Sequence, residues 1–253
     1  MHLKTLHNKI IVDMLEMHTV LQQVLPRDLP KRYTGSVMYL SPFIDQLNEI
    51  TVPLKVINQI VEDTSGTVEL NELQLTAEWR PKSENTVTRR SPDIYLQWHI
   101  NLGTRSFPIT KASWKRRRFY FWSYFMHELV HRHQDSSRPS SKGSKQFAPT
   151  SDDKEMAKHQ LYLGDYDEIE AYAHDVALEM FIWFPTMTYR EAFKEMKTIT
   201  RRLAPATYPA FAIAFQETPI HPAMLVLRKK IRAWYELMHK QHDAYRILDL
   251  EPL

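Results

Sequence analysis

The residues best equipped for chemistry stand together as His127-Glu128-Leu129-Val130-His131, an H-E-x-x-H pattern. On an α-helix, positions four apart differ by roughly 40° about the axis and stand about one turn apart, so both imidazoles project from one face toward a common point. Two neutral imidazoles converging in this way are a natural grip for zinc. Glu128 lies roughly 100° further round the helix, poorly placed as a ligand but within reach of a water on the same ion, where a general base belongs. The expected chemistry is hydrolysis: zinc lowers the pKa of the water toward about 7, Glu128 takes its proton, and the hydroxide attacks a polarised peptide carbonyl. With 12 histidines in 253 residues, the pattern also arises by chance in roughly a few per cent of such chains. In that case His127 and His131 are buried core histidines bonded to backbone or carboxylate partners.

A catalytic zinc takes three protein ligands and keeps one position open, so a third donor is required. The richest source is Asp165-Tyr166-Asp167-Glu168-Ile169-Glu170-Ala171-Tyr172-Ala173-His174-Asp175. Read as a helix, it carries Ile169, Ala173, Val176, Met180 and Trp183 as an apolar stripe, while Glu168, Tyr172, Asp175 and Glu179 share an arc of roughly 60° beside it. Glu170 falls nearly opposite Glu168, with His174 close to Glu170. Glu168 is therefore the predicted third ligand, with Asp175 or Glu179 as an acceptor that fixes a zinc-bound imidazole through its other nitrogen. Tyr172 is the predicted donor to a developing oxyanion. The competing role for Glu168 is structural, because Asp165 and Glu168 stand at capping-box spacing; Asp167 with Glu170 offers the same arrangement. His133, two residues past His131, faces away. His221, between Pro219 and Pro222, is a minor candidate.

H-E-x-x-H followed by a second helix bearing Glu168-x-x-Ala171 resembles the gluzincin metallopeptidases, and the spelling Glu168-Ile-Glu-Ala-Tyr-Ala resembles the ImmA/IrrE-like peptidases and small metallopeptidases of bacteriophages and bacteria. The resemblance covers about a quarter of the chain. It implies a zinc site, a water-activating Glu128 and a third ligand at Glu168. Many gluzincins carry an Asp four residues after the ligand Glu, where this chain has Tyr172. ImmA/IrrE proteins imply cleavage of a DNA-binding repressor, a substrate for which nothing outside the two motifs speaks.

Composition bounds the reading. Hydrophobic residues make up 43% and charged residues 25%, ordinary for a soluble globular protein and unlike collagenous or wholly disordered chains. The absence of cysteine removes disulfides, thiolate ligands and thiolate nucleophiles, so any metal must use His, Asp or Glu. An excess of 33 Lys plus Arg over 30 Asp plus Glu is too small to imply nucleic-acid binding by itself. Met1 to Leu25 lacks the apolar run of a secretory signal, and no stretch reaches bilayer length, so a cytoplasmic protein without a membrane partner is expected.

These motifs need elements to hold them. Helical spacing is predicted from about Lys4 to Leu25, and again from Pro42 to Glu62 with a break or kink at Pro53. Near alternation predicts strands over Thr67 to Trp79 and Ile94 to Leu102. Ser113 to Gln134 is aromatic nearly all round, the pattern of an interior helix. Asp135 to Thr150 reads as a mobile loop. Further helices are predicted over Asp165 to Phe184, Thr188 to Leu203 and His221 to His242. The sum is one zincin-like domain over residues 1–253, α+β but mostly helical, with a small sheet in the N-terminal half packed on the H-E-x-x-H helix and the C-terminal helices.

Two further features bear on partners. Ile94 to Leu102 is either an edge strand that pairs with a peptide substrate or an internal strand. Lys115-Arg116-Arg117-Arg118 is either a solvated helix turn or an attractor of nucleic acid or an acidic substrate. The leading expectation is a zinc metallopeptidase acting on a protein or peptide. The alternatives are a catalytically silent zincin-like regulatory protein of phage or bacterial origin and a nucleic-acid-associated protein.

Overall fold

The computed structural model describes residues 2–24, 37–38, 54–61, 74–80, 93–101, 107–108, 111–137, 144–199, 207–215 and 221–250. They are mostly helical, and among them no helix is long and apolar enough to cross a membrane. Helices are α1 (Leu3–Val24), α2 (Lys111–Ser136), α3 (Lys154–Leu163), α4 (Tyr166–Trp183), α5 (Tyr189–Ile199), α6 (Thr207–Phe215), α7 (Pro222–Lys240) and α8 (His242–Arg246). Strands are β1 (Val37–Met38), β2 (Leu54–Val61), β3 (Gln74–Arg80), β4 (Asp93–Asn101) and β5 (Phe107–Pro108). The chain divides into two compact units: Met1–Ile11 with His133–Ile247 and Pro252, and Val12–Arg132 with Leu248–Glu251 and Leu253. The boundaries at residues 11/12 and 132/133 fall inside α1 and α2, each of which is one continuous helix.

In the unit containing residues 133–247, α4 is the central element. Eleven of its residues are buried, among them Ile169, Ala171, Ala173, Val176, Ala177 and Met180. Three alanines let a neighbouring backbone approach closely, and the most extensive helix pairing is with α7. That helix buries Met224, Leu227, Ile231, Trp234 and Met238 at three- and four-residue spacing, the stripe a helix presents to a core. One buried ionic clamp ties the pair: the Glu170 carboxylate is paired with Lys230 and accepts a 2.7 Å hydrogen bond from the Trp234 indole. Glu170 is thus a core residue, its carboxylate committed to Lys230 and Trp234.

In the other unit, β4 is the middle strand of a β2-β4-β3 sheet, parallel to β2 and antiparallel to β3. Leu54 to Val61 face Ile94 to Asn101 in register, and Gln74 to Arg80 face His99 to Asp93. The internal alternative for this strand therefore stands: among the described residues, Ile94 to His99 are paired with strands on both sides. Residues 54–61 also correct the helical expectation for Pro42 to Glu62. A short run rich in Val and Ile immediately after Pro53 suits a parallel strand, and such a run has no periodicity that separates it from a helix. Pro42 to Pro53 and Thr67 to Leu73 lie outside the described residues. On α2, Phe119, Trp122, Phe125, Met126, Leu129 and Val130 are buried, consistent with an interior helix. Arg118 is also buried and donates to the carbonyls of Leu248 at 3.1 Å and Asp249 at 3.2 Å. One member of the basic run is thus committed to the C-terminal segment rather than to solvent.

Helix α3 has no counterpart in the sequence reading. Asp153 caps it by accepting from the Met156 N–H at 2.8 Å, and Gly164 closes it. A Cβ on Gly164 would stand 2.6 Å from the Gln160 carbonyl oxygen and 3.3 Å from that of Phe147, so only glycine fits without a shift. Of the expected mobile loop, residues 138–143 lie outside the described set. Lys145 and Phe147 are bonded to the α3–α4 junction, through Tyr166 N–H to the Lys145 carbonyl at 2.9 Å and Phe147 N–H to the Gly164 carbonyl at 3.0 Å.

Candidate metal centre

Helix α2 runs unbroken through the H-E-x-x-H pattern, which puts His127, His131 and Gln134 on one face within roughly 60°. The imidazoles converge as expected, with Nε2 of His127 and Nε2 of His131 3.0 Å apart. Two ligands in a tetrahedral site, each about 2.05 Å from zinc, stand about 3.3 Å apart, so the pair needs only a small adjustment to grip one ion. His127 is buried and Glu128 and His131 half-buried. One turn beyond His131, the Gln134 side-chain amide donates to the Asp167 carbonyl at 3.2 Å.

The local structure of that first turn decides what Glu168 is for. Asp165 is the N-cap, its carboxylate accepting from the Asp167 N–H at 2.8 Å. A capping box would also have Glu168 reach back to the Asp165 N–H, but that N–H donates to the Tyr162 carbonyl at 3.1 Å. The cap is complete without Glu168. Its carboxylate instead joins the histidines: among the described residues, His127, His131 and Glu168 form the one group of three whose ligand atoms all lie within 4.8 Å of one another. Nitrogen, nitrogen and carboxylate oxygen, with no thiolate, is a donor set that zinc accepts in a three-ligand site with an open fourth position.

Sequence reasoning did not single out Tyr162, at the end of α3, whose hydroxyl lies 3.1 Å from the Tyr172 hydroxyl. Burial of the hydroxyl, then Tyr172 and the Glu168 charge, push its pKa up, although about half of the residue (48%) is exposed. Tyr172, the predicted oxyanion donor, sits half-buried with its ring edge-on to Tyr162 at 6.3 Å and to Phe211 at 5.6 Å. The only sequence signal for Tyr162 was the capped helix between Asp153 and Gly164.

The remaining candidates are placed as follows. Asp175 is buried, with Oδ1 3.9 Å from Nδ1 of His174. Glu179, one turn further on, has its pKa raised to about 8 by burial and by the Asp175 charge. His174 is fully buried edge-on to Trp234 at 4.9 Å. His221 caps α7, its Nδ1 accepting the Ala223 N–H at 3.1 Å, which is the structural role expected of a lone turn histidine. Comparison with known proteins returns no match: no family model, curated protein or solved structure aligns with this chain.

Proposed function

We propose that the protein is a zinc-dependent peptidase hydrolysing a peptide bond in a protein substrate, with His127, His131 and Glu168 as ligands and Glu128 as general base. The observation supporting this is the approach of three chemically suitable donor atoms to within 4.8 Å of one another, from the residues in which the gluzincin-like motifs lie. A zinc ion held there supplies Lewis acidity and brings the deprotonation of water near neutral pH. His127 and His131 hold it from successive turns of one rigid helix. Glu128 follows His127 directly and is half-buried, so its carboxylate accepts a proton from the attacking water and returns it to the leaving amine. The zincin-like arrangement of sheet and metal helix, and the cytoplasmic location, belong to the same proposal.

The rival reading is a silent zincin-like regulator in which the same ligands serve a structural ion. Glu128→Gln separates the two. Profiling of new protein termini in cells expressing the native and variant forms is expected to yield a set of cleavages that the variant loses by roughly 10²-fold or more in rate, while zinc content stays unchanged. Identical terminus profiles from the two forms would leave the protein a binder rather than an enzyme. The basic run gives the nucleic-acid reading little support, since Arg118 is spent on backbone carbonyls.

A further inference from the structure

We propose that the face formed by α5 and the neighbouring edge of α7 binds the phosphate backbone of a nucleic-acid duplex, independently of sequence. Residues 189–240 hold ten Lys and Arg against four Asp and Glu, a net of +6 in a chain whose total is +3, so the remainder is net negative. The small total thus conceals a concentrated positive potential. Within this segment the charge is ordered. Arg190, Lys194 and Lys197 are all exposed and stand four and three residues apart on α5, within an arc of about 60° and over about 10 Å of helix. One DNA strand carries a charge about every 3.4 Å along the axis, so the stripe matches about three phosphates. The acids of α5 are withdrawn from it. Glu191 takes the Thr188 N–H at 2.9 Å and the Thr188 hydroxyl at 2.7 Å, and Glu195 lies about 100° round from Lys194. This face shares no residue with the metal site or with the Lys115–Arg118 run.

Aromatic rings carry the stripe across to α7. Tyr189 and Phe193 stack at 5.4 Å, and Phe193 meets Tyr208 of α6 edge-on at 5.2 Å. Lys197 Nζ lies 5.8 Å from the centres of the Phe193 and Tyr208 rings. The Arg228 guanidinium stands 5.9 and 6.0 Å from the same two rings, and that of Arg232 stands 6.0 Å from Tyr189. A ring face attracts a cation and holds it in place without neutralising it. Arg228 is tied further, its Nε donating to the Tyr208 hydroxyl at 2.8 Å. Arg232 donates to Glu236 at 2.7 Å in an exposed pair, a kind worth little in water and open to exchange for a phosphate. Because the rings are engaged by these cations and by one another, they support charge rather than stack on bases, and backbone contacts alone carry no sequence information. A lipid surface or a protein partner fits less well. Both call for apolar anchors, and among the described residues of α5 and α7 Leu225 is the one large apolar side chain that is exposed.

The test is fluorescence anisotropy of a labelled, random-sequence DNA duplex titrated with the full-length protein over a range of salt concentrations. Native protein is compared with the combined variant Arg190→Gln, Lys194→Gln, Lys197→Gln, and with Lys194→Arg combined with Lys197→Arg. The combined change Lys115→Gln, Arg116→Gln, Arg117→Gln serves as control, and thermal unfolding of every form is measured in parallel. Native protein is expected to bind with an affinity that falls steeply with salt. The α5 glutamine variant should bind roughly 10²-fold more weakly at about 50 mM salt, with a log–log salt slope shallower by about 2–3, since each lost phosphate contact removes about 0.9. The arginine form and the control should bind as native protein does. If the α5 variant no longer unfolds cooperatively, the three single glutamine substitutions carry the test, each lowering the slope by about 1. Absence of duplex binding by native protein at about 50 mM salt would overturn the proposal, and so would native affinity in the α5 variant or an equal loss in the control. Sedimentation with phosphatidylserine vesicles in the absence of duplex binding would assign the face to a membrane instead. Glu168→Ala should bind the duplex as native protein does, so failure of the metal site and failure of this face are read separately.

Discussion

His7 makes the stability of this protein depend on acid in a way that one substitution should remove. Its side chain on α1 is fully buried, with neither ring nitrogen hydrogen-bonded among the described residues. The ring stacks on Tyr245 at 5.7 Å and stands edge-on to Trp234 at 5.6 Å. Burial, and then the neighbouring His174, lower its pKa from 6.5 to about 4. A base whose pKa falls on folding is protonated in the unfolded chain before it is protonated in the folded one. The unfolded state therefore binds the extra proton between pH 6.5 and about 4, and folding stability is lost as the pH falls through that window. The gap is worth about 2–3 kcal/mol once partial solvent screening is allowed for. Glu179 works with the opposite sign: with its pKa raised to about 8, it penalises folding as the pH rises from about 4.5 toward 8. The native curve alone mixes the two, so the informative quantity is the difference from His7→Phe, which keeps an aromatic ring against Tyr245 and Trp234 and cannot titrate. Urea unfolding of the metal-free proteins in chelator, at pH 7.5 and pH 4.2, is the assay. Native protein should lose about 2–3 kcal/mol more than His7→Phe between these two pH values. Parallel losses would refute the reasoning and place the acid sensitivity elsewhere.

Two other substitutions probe the elements that carry the site. Glu170→Gln removes the charge paired with Lys230 while keeping an oxygen to accept from Trp234; urea unfolding should show a loss of about 2 kcal/mol with zinc affinity unchanged. Gly164→Ala forces a Cβ against the Gln160 carbonyl; a loss on the order of 1–3 kcal/mol is expected in the same unfolding assay, with zinc binding weakened because Glu168 lies in the first turn of the helix that follows.

Legibility in the sequence followed local physics. The H-E-x-x-H geometry could be read because two histidines four apart on any helix share a face, and Glu168 because its arc on α4 differs from that of the core-facing Glu170. Which acid would cap α4 could not be read, since Asp165 and Asp167 both had suitable spacing; in the structure Asp165 is the cap, its carboxylate taking the Asp167 N–H. Residues 54–61 were misread because a short β-branched run fits either period, and pairing with β4 is a non-local matter. Helix α3 was missed because its signals are a cap at Asp153 and a glycine at its end rather than a strong apolar stripe. The burial of Arg118 depends on the C-terminal segment 130 residues away, which no local pattern announces.

The proposed activity requires one divalent ion held by two imidazoles from α2 and one carboxylate from α4. Zinc K-edge absorption spectroscopy on the metal-loaded full-length protein tests it most directly, with Glu168→Ala as the comparison. About one zinc per chain is expected, bonded only to nitrogen and oxygen at about 2.0–2.1 Å, with scattering from two imidazoles and loss of one oxygen in the variant. A zinc shell that is unaltered in Glu168→Ala, or stoichiometric zinc that persists after both His127 and His131 are replaced by alanine, would contradict it.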